Sequence, residues 1–146
     1  MKTLMSIVLA TTLSLSLNAQ NIWLGGAPGQ ETEWNNPRNW SAFRAPGPDD
    51  LVIIPNTDSR GGFYPVINNK VEPVYFLEVQ DNAHLTITQH GELIIDGTGK
   101  IEDGLLLLGT IHQTGQIKVV GSSSKMIAWS VKNGKESNVL AYDQRH

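Results

Sequence analysis

The sequence predicts an all-β protein, and three observations predict it. Past residue 20 no stretch carries apolar residues at helical spacing, whereas short β-branched or Leu-rich runs recur. Turn-forming Gly, Asn, Asp and Pro separate those runs, with 14 Gly and 7 Pro in 146 residues. A thirteen-residue segment also repeats itself 24 residues further on, as internally repetitive architectures do.

The first element is a leader. Lys2 opens a short basic region, and residues 4–17 form an uncharged apolar run dotted with Ser and Thr. Leu17-Asn18-Ala19-Gln20 then offers a cleavage site after Ala19. Residues 1–19 are therefore expected to be a secretory signal peptide, and the mature chain to be secreted or on the outer cell surface. The run is too short and too rich in Ser and Thr for a membrane span. Its removal leaves 127 residues, the size of one domain.

Composition narrows the classes. The chain has no cysteine, which excludes disulfide scaffolds, thiolate metal sites and Cys nucleophiles. Formal charge is −3 without a Lys/Arg cluster, which argues against a nucleic-acid partner.

Residues 20–50 are expected to form an N-terminal cap, residues 51–121 the stacked strands, and residues 122–146 a last strand and tail. Strand-like runs begin with Val52-Ile53-Ile54 and continue through residues 74–79, 85–87, 93–95, 105–108, 117–120 and 126–131. The repeat lays residues 85–97 over 109–121 with five identities: Thr86/Thr110, Ile87/Ile111, Gln89/Gln113, Gly91/Gly115 and Gly97/Gly121. The same offset puts Ile53 over Leu77, Leu77 over Ile101, and Leu105 over Trp129. A β-solenoid explains this: each coil lies on the one before at ~4.8 Å, so apolar type persists at the coil period. Glycine should persist at corners that need unusual φ and ψ. An antiparallel β-sandwich is the alternative; it explains strands and turns but predicts no fixed offset.

Residues 21–50 hold three of the four tryptophans, Trp23, Trp34 and Trp40. In order come Trp23-Leu24-Gly25-Gly26, Trp34-Asn35-Asn36-Pro37-Arg38-Asn39-Trp40-Ser41, Pro46-Gly47-Pro48-Asp49-Asp50 leading into Val52 and Ile54, and Tyr64-Pro65-Val66-Ile67. This order resembles the N-terminal region of secreted Bacteroidetes-type parallel β-helix surface proteins, of the pectin-lyase-like or autotransporter-adhesin-like kind. The resemblance implies a cap followed by β-helix coils, and no catalytic motif comes with it; together with the 24-residue repeat it makes a short right-handed parallel β-helix the expected fold. Bulky indoles can plug the end of a core while Asn35, Asn36 and Asn39 tie irregular backbone. The functional alternative is a glycan site, with Trp34 or Trp40 stacking on a pyranose and Arg38 or Asn39 holding hydroxyls.

No catalytic constellation survives inspection. Asp49, Asp50, Asp81, Asp96 and Asp103 each sit beside Gly, Asn, Pro or another Asp and read as turn residues, and the repeat places Asp96 over Val120 and Glu92 over Gln116, so no carboxylate ladder forms. His90 falls over Thr114 and His112 over Thr88, so no metal site is expected. Ser122-Ser123-Ser124 lacks a nucleophile-elbow context, and Asp96-Gly97-Thr98-Gly99 precedes a strand, so it cradles no phosphate. No cofactor is expected. The expectation is a non-catalytic structural or adhesion module of a bacterium, meeting surface polysaccharide or cell-surface proteins. A carbohydrate-binding module is the alternative, and a polysaccharide-degrading enzyme is the weakest reading. Residues 126–142 are expected to fold back as a C-terminal cap.

Overall fold

A computed structural model describes residues 19–98, 104–120, 126–128 and 140–141. Residues 1–18 of the expected signal peptide, Ile101, Asp103, the serine run 122–124, Trp129 and most of the expected C-terminal cap lie outside the described residues.

The described chain is all-β. Eleven strands run in order: β1 Ala19–Ile22, β2 Asp50–Ile54, β3 Val66–Ile67, β4 Phe76–Val79, β5 His84–Ile87, β6 Glu92–Asp96, β7 Leu105–Leu107, β8 Thr110–Gln113, β9 Gln116–Val120, β10 Met126–Ala128 and β11 Leu140–Ala141. Two single-turn 3-10 helices, Pro37–Asn39 and Asp58–Arg60, interrupt the long connections. Three sheets result, ordered β1-β2-β4-β7-β10, β3-β5-β8 and β6-β9-β11. From β4 to β9 the chain visits the three sheets in rotation, and β10 returns to the first.

Every pair of named strands is parallel. The antiparallel sandwich is therefore not what these strands build. The one antiparallel bridge among the described residues joins Trp23 to Trp40, outside the strands.

Alternation along the strands explains the core. In β4, β5 and β6 every second side chain is buried: Leu77 and Val79, Leu85 and Ile87, Leu93 and Ile95. Buried residues then lie on buried residues. Val52 pairs with Leu77 and Leu77 with Leu105; Leu93 pairs with Ile117 and Ile95 with Val119. Burying each such side chain contributes about 1.5–3 kcal/mol against leaving it in water, so these columns are the main source of stability.

The fixed 24-residue offset needs correction. It holds between β6 and β9, where Glu92 meets Gln116 and Asp96 meets Val120. Elsewhere the register differs: Leu85 meets Ile111, not Gly109, and Leu77 meets Leu105, not Ile101. Leu77 is also met by Val52 rather than Ile53, Leu105 by Met126 rather than Trp129, and His112 by Thr86 rather than Thr88. The physical reason is that the ladder constrains only the strands. Turns between them vary in length at little cost, so apolar identity persists while spacing drifts.

Gly91 and Gly115, matched in the repeat, play one role, though not through unusual φ. Neither is among the residues with positive φ. Instead a Cβ on Gly91 would fall under 3.0 Å from the carbonyl oxygen of Ile67, and one on Gly115 from those of Thr88 and Gly91. The backbones of neighbouring turns touch there, and only hydrogen fits.

Candidate functional site

The N-terminal segment is the most elaborated part of the described chain. Trp23, Trp34 and Trp40 are 0–2% exposed. The Trp40 ring stands edge-on to both others, with centroids 4.9 Å from Trp23 and 4.8 Å from Trp34, the geometry that aligns the positive edge of one ring with the negative face of another. Buried indole N–H groups need acceptors. Trp40 Nε1 donates to the Trp34 carbonyl at 2.6 Å and Trp23 Nε1 to the Phe63 carbonyl at 2.8 Å. Trp34 Nε1 is buried without a partner.

Asn39 organises the turn that carries these rings. Its Oδ1 accepts from Ala27 N–H at 2.8 Å, and its Nδ2 donates to the carbonyls of Gln30 and Glu33. Asn36 caps the short 3-10 helix by accepting from Arg38 N–H at 3.0 Å. Glu31 accepts from Gly29 N–H, and that bond, the largest of the causes, draws its carboxyl below the ordinary glutamate range. Asn35 is exposed.

The same segment covers sheet edges. A strand edge presents unpaired N–H and C=O groups that invite aggregation. On the outer side of β1, Ile22 N–H donates to Ser41 Oγ and Ser41 N–H to the Ile22 carbonyl, both at 2.9 Å. Leu24 N–H continues the contact to the Asn39 carbonyl at 2.7 Å. On the outer side of β3, Val66 N–H donates to the Thr32 carbonyl at 2.8 Å. Residues 70–74 do the same for β6 through Val71 N–H to the Glu92 carbonyl and Asp96 N–H to the Val74 carbonyl. The first strand of each sheet is thus covered.

Arg44 and Asp50 lock the return from this segment into β2. Asp50 is buried; its carboxylate takes a two-pronged contact from Arg44, at 2.5 and 2.6 Å, and accepts from Gly47 N–H at 2.8 Å. The hydrogen bond to Asp50, ahead of the charge attraction, holds the Arg44 guanidinium above its ordinary range although burial opposes it. Asn21 joins the two ends, donating to the Arg44 carbonyl and accepting from Ala42 N–H. Asp50 is therefore more than a turn residue. The sequence signal for it was an Arg six positions ahead of a strand-leading Asp across Pro46-Gly47-Pro48, too common a pattern to single out.

The residues named for the glycan alternative are mostly buried. Trp34 and Trp40 are buried edge-to-face against each other, so neither offers an exposed ring to a pyranose. Asn39 is fully buried with its amide spent on backbone, and of the four named residues only Arg38 is exposed.

The histidines also differ from expectation. His84 and His112 lie two residues apart in register on adjacent strands β5 and β8, with ring centroids 5.7 Å apart. Asp81 is exposed at a turn, and Asp96, expected at a turn, is exposed at the end of β6 opposite Val120. Among the described residues no group of three or more His, Cys, Asp or Glu converges, and no helix is long and apolar enough to cross a membrane. Comparison with protein-family models, curated proteins and solved structures finds no match to this chain.

Proposed function

We propose that this chain is a secreted, non-catalytic structural or adhesion module of a bacterial cell surface, built as a short β-solenoid behind an aromatic cap. The observation that carries this reading is where the elaborate chemistry goes. Three tryptophans, Asn39 and the Arg44–Asp50 pair are all spent on closing one end of parallel, stacked strands, and a rigid stack closed in this way suits display of its outer faces. Two of those faces carry short polar and charged side chains, including Thr86, Thr110, Gln116 and Lys118, the kind of surface that meets polysaccharide or protein through hydrogen bonds.

The test is location and attachment in the producing bacterium. Mass spectrometry of protein shaved from intact cells, or recovered from medium, is expected to find a chain beginning at Gln20. Loss of the protein is expected to weaken cell–cell or cell–surface attachment. A chain retained inside the cell with residues 1–19 intact, or attachment unchanged in its absence, overturns the proposal.

A further inference from the structure

We propose that His84 and His112 form a surface chelate for a divalent transition-metal ion of the class that imidazole favours, Cu2+, Ni2+ or Zn2+. The pairing of β5 with β8 sets His84 opposite Thr110 and Thr86 opposite His112. The histidines are therefore two positions apart in register, an even number, and share the outer face of the sheet. Their rings lie 5.7 Å apart, tilted by 35°. Two imidazoles on one metal, with nitrogen–metal bonds of ~2.0–2.1 Å, place their ring centres roughly 5–6 Å apart, so the separation already matches a shared ion.

The two residues differ in their surroundings in a way that suits a chelate. His84 stands edge-to-face with Tyr64 at 4.9 Å, and the Tyr64 hydroxyl is held by Asp58 Oδ1 at 2.8 Å. His112 is exposed on the neighbouring strand, free to turn its ring plane so that a nitrogen lone pair meets the ion. His84 Nδ1 is buried without a hydrogen-bond partner, and a buried ring nitrogen in that state gains from any partner it acquires. With two protein ligands, water completes the coordination sphere, which makes the ion exchangeable. Two nitrogens, with no carboxylates converging on them among the described residues, select against Ca2+ and Mg2+.

The probe is Cu2+, the tightest binder of its series to nitrogen ligands, added to the untagged chain and read by the nitrogen hyperfine pattern in electron paramagnetic resonance. Saturable binding of one ion with two imidazole nitrogens is expected. His112→Gln, at an exposed position that leaves the core intact, is expected to lose one of the two couplings, as is His84→Gln; His90→Gln is expected to change nothing. Absence of saturable binding, or a pattern that His112→Gln leaves unchanged and that therefore belongs to the amino terminus or another histidine, overturns the proposal.

Discussion

Replacing Trp40 with alanine tests the cap most directly, because one side chain serves three purposes there. It fills the end of the core at 0% exposure. It contacts two other indoles edge-on. Its Nε1 satisfies the Trp34 carbonyl at 2.6 Å. Truncating a buried aromatic costs about 3–5 kcal/mol. Leaving a buried carbonyl without its donor costs about 1–3 kcal/mol more. The sum, about 4–8 kcal/mol, spans the lower end of the total stability of a domain, about 5–15 kcal/mol, so Trp40→Ala is expected to be unfolded or barely folded. Trp40→Phe separates the terms: it keeps a ring but loses the N–H, and is expected to cost about 2–3 kcal/mol. Urea unfolding followed by far-ultraviolet circular dichroism measures both, since the β signal does not depend on the indole being removed. A loss below about 1 kcal/mol for Trp40→Ala would refute the reasoning, because an indole that can be removed so cheaply is not a plug.

Two further outcomes follow from other contacts. Gly115→Ala is expected to destabilise by about 1–3 kcal/mol, although alanine ordinarily gains about 0.4–1 kcal/mol over glycine by restricting the unfolded chain; the new Cβ would press on the Thr88 and Gly91 carbonyls, and a raised melting temperature would show that the turns are not in contact. Arg44→Met leaves the Asp50 carboxylate, 1% exposed, with one remaining N–H from Gly47. Because the Arg44 side chain is 51% exposed, the loss should fall below the 3–5 kcal/mol of a fully buried pair, near 2 kcal/mol. Chemical denaturation would check it, and recovery of most of the loss in the double variant with Asp50→Asn is expected, since the uncompensated charge is then gone.

What the sequence determined by itself was local. Short apolar runs such as Leu93-Ile94-Ile95, bounded by turn chemistry, specify strands, while the structure shows that Leu93 and Ile95 rather than Ile94 face the core. Repeated Gly91 and Gly115 marked real corners, but what requires glycine there is close approach to the backbone of a neighbouring turn, a tertiary contact, rather than φ. Only the tertiary structure decided register. Strands stack by hydrogen bonding across turns whose lengths vary, so Leu85 found Ile111 and His112 came to lie beside His84, which a constant offset could not show. The direction in which the tryptophans face was equally beyond the sequence. Trp34 and Trp40 carry the chemistry of a sugar platform and of a plug alike, and what separates the two is whether the chain folds the rings against each other, as it does here, or away.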